Sequence, residues 1–168
     1  MKALSFIITI TLICCACSSN NNTSCIPTEG FWKGYDFCDT TLIVNNPSDV
    51  ERDFVEYINQ IYYMEKDSLK KEFDEFIRYI SLSPRSEEFF TELTEKYLYQ
   101  YRSTPHIESM YLTFLERYTA SPYITDENKI RPQMQIADIA KNTVGSIATD
   151  FTYTLPNGTT SQMYDIKT

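Results

Sequence analysis

The chain has 168 residues, 42% of them hydrophobic and 23% charged, the balance of one globular domain and not of a disordered segment. Its formal net charge of -8 gives an acidic surface that repels phosphate backbones and argues against nucleic acid as a partner. Four glycines are few for a site made of glycine-rich loops, whereas 13 Tyr and 10 Phe supply large side chains for a core.

The first residues read as a targeting segment. Lys2 is a short positive start, and Ala3 to Ile13 is an apolar run of eleven residues. That is too short to cross a bilayer, which takes about 20, and it fits a signal-peptide core. Cys14-Cys15-Ala16-Cys17 follows, then a polar Ser/Asn/Thr run. This resembles a bacterial lipoprotein signal, in which a small residue precedes the cysteine whose thiol receives a diacylglycerol. Ala16 before Cys17 fits. Cys14, where such signals usually carry Leu, departs from the pattern, and Cys15 is a rival acceptor. A plain secretory peptide cut near here is the alternative. The resemblance implies a signal peptide over 1–16, lipidation of Cys17, a tether over 17–28, a membrane partner through the lipid anchor, and a place in the cell envelope.

Cys25 and Cys38 remain. A disulfide between them would close a loop of about 14 residues and contribute about 3 kcal/mol in the chain-entropy view. The simpler reading makes Cys38, among Tyr35, Phe37 and Leu42, a small buried hydrophobe. Past the signal region there is no Cys-x-x-Cys and no His/Cys cluster with zinc spacing, so neither metal nor cofactor is expected.

Residues 29–44, rich in aromatics and ending in a β-prone run, read as a segment laid across a helical body with its rings buried. An aromatic ligand platform around Trp32 is the alternative. Asn46-Pro47 then starts a helix, with Ser48-x-x-Glu51 as a capping box. Val50, Phe54, Tyr57, Ile58 and Ile61 share one helical face. Leu69, Phe73, Phe76, Ile77 and Ile80 repeat the spacing. Ser83-Pro84 opens a third helix with Phe89, Phe90, Leu93, Tyr97 and Leu98 inward. Thr104-Pro105 opens a fourth with Met110, Tyr111, Phe114, Leu115 and Tyr118, and Ser121-Pro122 breaks it. A fifth runs from about Asp126 to Lys141, with Ile130, Met134, Ala137 and Ala140 inward. Each proline, Pro132 included, is expected early in a helix where its missing N–H is harmless. The fold class is therefore mainly α, a bundle or array of about five amphipathic helices over 29–142.

Beyond Lys141 the period becomes two. Phe151, Tyr153 and Leu155 alternate with Thr152 and Thr154, Pro156-Asn157-Gly158 is a turn, and Thr159 to Ile166 returns as a second strand. The chain is thus predicted to close on a short C-terminal β-hairpin, loosely held or docked on the helices.

"KNTVGSIATDFTYTLPNGTTSQMYDI" resembles the start of a thioredoxin-like domain of the TlpA/peroxiredoxin kind, through Val144, Gly145, Ala148, Asp150, Phe151, Asn157 and Gly158. "GFWKGYDFCDTTLI", "EKYLYQYRSTPHIESMYLTFLE" and "IRPQMQIADIAKN" resemble the helical domain of unknown function DUF5106, which precedes such domains in envelope lipoproteins of Bacteroidota. The resemblance implies that 143–168 begins an incomplete thioredoxin-like fold. In that family the redox Cys-x-x-Cys lies beyond the hairpin, and no position of this sequence matches it, so no catalytic residue carries over.

Other chemistry is thin. His106 reads as a solvated residue in a first helical turn. Glu87-Glu88 and Asp74-Glu75 read as solvated helix faces, since adjacent residues diverge on a helix. There is no G-x-S-x-G elbow. The leading expectation is a non-catalytic envelope lipoprotein, a helical binding or spacer module with an envelope protein as partner. The alternatives are part of a thiol-disulfide oxidoreductase and a stand-alone lipoprotein with an aromatic ligand groove.

Overall fold

Helices make up most of the computed structural model, which describes residues 24–100, 105–141 and 150–165. Among these residues there are six α-helices: α1 Thr41–Asn45, α2 Pro47–Ile61, α3 Lys66–Ile80, α4 Pro84–Glu95, α5 Pro105–Ala120 and α6 Asp126–Lys141. A π-helical turn, Lys96–Gln100, continues α4. Pro47, Pro84 and Pro105 each stand first in a helix, where the ring's fixed φ suits the turn and no amide donor is lost.

The anticipated stripes on α2 to α5 form the core. Val50, Phe54, Tyr57 and Ile61 are buried on α2, and Leu69, Phe73, Phe76, Ile77 and Ile80 on α3. Phe90, Leu93 and Leu98 come from α4 and its π turn, and Met110, Tyr111, Phe114, Leu115 and Tyr118 from α5. Residues 24–40 cross this body as a strap that plants Trp32 and Phe37 among the helices. The Trp32 ring lies 5.4 Å from Tyr57, 5.9 Å from Phe76 and 5.3 Å from Phe90. Phe37 stacks on Tyr79 at 5.5 Å. Rings of this size bury about 150–250 Å² each, so the strap supplies a large share of the apolar burial. Gly30 and Gly34, at φ +79° and +82°, let it turn twice.

Several local expectations give way. The β-prone Leu42-Ile43-Val44 forms α1 instead of a strand. The Asp39 carboxylate accepts from the Thr41 N–H at 2.9 Å and its hydroxyl at 2.5 Å, which holds a first turn, and Ile43 alone is buried. The Ser48/Glu51 capping box does not form. Asn46 sits at the N-cap without a side-chain bond, and Glu51 reaches across to the π turn. Pro132 is the seventh residue of α6, inside the helix, so the Asn128 carbonyl lacks its usual i+4 donor. On α6 the inward stripe is also overturned. Ile130 and Met134 are 57% and 63% exposed, Ala137 and Ala140 are exposed, and Ile139 is the buried residue. The reason is that α6 packs on α5 and presents its other face to solvent.

The hairpin pairs β1, Thr152–Thr154, with β2, Thr160–Gln162, antiparallel and with Tyr153 opposite Ser161. Gly158 donates to the Leu155 carbonyl at 2.8 Å and adopts φ +84°, while Asn157 Oδ1 accepts from Thr159 N–H at 3.1 Å. The second strand is shorter than expected, because Met163–Asp165 turns into a 3-10 helix. Its start is tied by Tyr164 N–H to Asp150 Oδ1 at 3.2 Å.

Candidate functional site

The cysteines settle differently from the simpler reading. Cys25 and Cys38 are joined in a disulfide with Cα atoms 5.7 Å apart, and Cys38 is exposed, not buried. The Cys38 N–H is taken by Asp36 Oδ1 at 2.9 Å, and the Phe37 N–H by the Cys25 carbonyl at 3.1 Å. This local wrapping turns Phe37 inward and leaves its neighbour outside. The two sulfurs and an Asp36 carboxylate oxygen lie within 4.8 Å of one another. Sulfurs spent in a disulfide offer no thiolate, so the trio is not a thiolate metal site. Cys17 and its rival Cys15 lie outside the described residues.

Trp32 belongs to the core and is not a ligand platform. Its Nε1 and the hydroxyls of Tyr35 and Tyr57 are buried without a partner in hydrogen-bond geometry. Burial pushes the Tyr35 phenol up to about 12, helped by Asp53. Burial also raises Tyr57 well above its ordinary value, with Glu72 adding to the effect. Orphaned donors of this kind cost free energy, which the surrounding aromatic packing offsets.

A cleft of about 360 Å³ opens between α4, α5 and α6. Pro84, Phe114, Leu115 and Pro132 give it apolar walls, Tyr111 and Tyr118 add rings, and Glu87, Glu88, Glu92, Glu95 and Glu127 add five carboxylates against one cation, Arg131. Glu87 was expected on a solvated helix face but is only 9% exposed. Its Oε1 accepts from the Tyr118 hydroxyl at 2.5 Å and from Asn128 Nδ2 at 2.8 Å, so one carboxylate oxygen joins three helices. Burial, then the Glu87 bond, raises the Tyr118 phenol above its ordinary range. Tyr111 is raised by burial and by Glu95, and its hydroxyl donates to Gln135 Oε1 at 3.1 Å. At the rim, Arg131 Nη2 meets both oxygens of Glu95 at 2.7 and 2.8 Å. A signal for Glu87 did exist in the sequence. It stands three and seven residues before Phe90 and Thr94, on the same helix face, and both are buried.

The remaining candidates are structural. Asp74 takes a two-point bond from Arg117 at 2.7 and 2.8 Å, joining α3 to α5. Glu51 accepts from Lys96 Nζ and the Tyr97 hydroxyl, both at 2.5 Å, and these bonds hold its carboxyl below the usual range. His106 falls in the first turn of α5, with its side chain outside the described set. The hairpin exposes Phe151, Leu155 and Tyr164.

No curated protein matches the chain. A crystal structure of a thioredoxin-like protein from Bacteroides caccae is similar, with 28% identity and a TM-score of 0.56 over 79% of this chain and 47% of that one. The chain therefore spans less than half the length of that protein. The six helices, the cleft and all of the strap from residue 28 onward lie within residues 28–142, which match the domain of unknown function DUF5106, and the chain belongs to that family.

Proposed function

We propose that this chain is the helical, non-catalytic module of an envelope lipoprotein, anchored through Cys17 and carrying a thioredoxin-like fold that begins at the hairpin. The hairpin carries the reading. Two strands of three residues, with Phe151, Leu155 and Tyr164 exposed, are marginal alone and call for a larger sheet. The thioredoxin-like neighbour, more than twice as long as the region it shares with this chain, supports the same view. So does the exposed Ile130/Met134 face of α6, just before the linker to the hairpin. Under this reading the membrane is a partner through the lipid, and a second envelope protein is the expected partner of the helices.

The test is the intact mass of the protein from its native membranes, for the parent and for Cys17→Ala. Acyl mass on the parent that vanishes in the variant supports the anchor, and a parent mass that includes no acyl groups refutes it. A mass exceeding the 19.6 kDa chain by roughly a hundred residues would supply a thioredoxin-like body. The second reading, part of a thiol-disulfide oxidoreductase, rests on the thioredoxin-like neighbour and would then lead if the added sequence held a Cys-x-x-Cys.

A further inference from the structure

We propose that the α4/α5/α6 cleft is a binding site for an alkyl cation, a methylene stem ending in ammonium or guanidinium, as on a lysine or arginine side chain or a free diamine. The inference stands apart from the anchor and from the thioredoxin-like reading. It starts from Glu87, a carboxylate nine-tenths buried. Both of its hydrogen bonds fall on Oε1, and among the described residues no donor reaches Oε2. Oε2 is not among the sealed, unpartnered side-chain atoms of those residues, which are Trp32 Nε1, Tyr35 OH and Tyr57 OH, and Glu87 is one of the residues that line the cleft.

A buried carboxylate with one open oxygen attracts a donor, and a charged donor most strongly. The surroundings select the kind. Glu92 and Glu127 line the same cleft and carry no ion pair among the described residues, whereas Arg131 is already committed to Glu95. The field inside is thus negative and repels anions. The walls between these oxygens are apolar and aromatic, which suits methylenes and the face-on approach of a cation to a tyrosine ring. The volume, about 360 Å³, is that of a small-ligand site and exceeds what one side chain needs.

The test follows amide shifts of the 168-residue chain during titration with two probes. One is 1,5-diaminopentane. The other is a blocked pentapeptide with one central lysine, with the same peptide acetylated on that lysine as control. Expected are saturable shifts on the Asn128 side-chain amide and on α4 and α6 around the cleft, weakening with salt. Glu92→Gln and Glu127→Gln, both on exposed positions, should each weaken binding about 2- to 5-fold. Glu87→Gln keeps an acceptor for Tyr118 and Asn128 and should weaken it at least about 10-fold. Tighter binding of the peptide than of the diamine identifies a polypeptide as the source, and the reverse a free amine. No saturable shift with either probe overturns the proposal. So does equal binding of the acetylated peptide, or an affinity unchanged in the Glu92→Gln/Glu127→Gln double variant.

Discussion

The Ser86 hydroxyl donates to the Phe37 carbonyl at 2.6 Å, in a site where Ser86 is fully buried. This one bond ties the strap to the first turn of α4 across 49 residues. Ser86→Ala should leave the Phe37 carbonyl unpaired and lower stability by about 1–3 kcal/mol. Urea unfolding followed by Trp32 emission is the measurement. A midpoint equal to that of the parent would mean that water replaces the hydroxyl at no cost.

The Cys25–Cys38 disulfide closes the same strap with a sequence separation of 13. Its loss should cost about 3 kcal/mol, through greater freedom of the unfolded chain. The double variant Cys25→Ser/Cys38→Ser, or the parent under reductant, should unfold at correspondingly lower urea. If reductant leaves the midpoint where it was, the bridge contributes nothing to the fold.

Alkali should unfold the domain before it affects an ordinary helical bundle. Tyr35 is raised to about 12, and Tyr57, Tyr111 and Tyr118 are raised too, all mainly by burial. An unfolded tyrosine titrates near about pH 10. Below that value both states hold the proton and stability is intact. Above it the unfolded chain releases protons that the native state keeps, so stability falls as pH rises toward the folded values. Each tyrosine adds at most about 1.4 kcal/mol per pH unit to the slope. Urea midpoints from about pH 8 to about pH 11 check this. Tyr118→Phe should flatten the curve, and an unchanged slope in that variant would remove Tyr118 from the account.

Amide exchange should separate the hairpin from the helices. Thr152–Thr154 and Thr160–Gln162 make a short ladder in which no side chain is buried and only Tyr153 and Ser161 are half-buried, whereas α2 to α5 enclose the core. The strand amides are therefore expected to exchange fast and the core helices slowly. Equal protection in both would sink the view that the hairpin needs a larger sheet.

The sequence by itself determined most of the helical plan. Asn46-Pro47, Ser83-Pro84 and Pro105 mark starts through a fixed φ and a harmless missing donor. The stripes on α2 to α5 follow from 3.6-residue spacing, and Asn157-Gly158 marks the hairpin turn because Gly158 must take a positive φ. These rules act within a turn or two of chain, so they can be read locally. The tertiary structure decided the rest. Glu87 is buried because Tyr118 and Asn128, 31 and 41 residues away, supply donors to its carboxylate. Ile130 and Met134 face outward because α5 covers a different side of α6, and no periodicity states which side a neighbour will occupy. Leu42 to Val44 became helix where the Asp39 carboxylate binds Thr41 at the start of the turn, and among the described residues no strand pairs with them. Burial of a polar group and the facing of an apolar one depend on partners distant in sequence, and only folding brings those partners together.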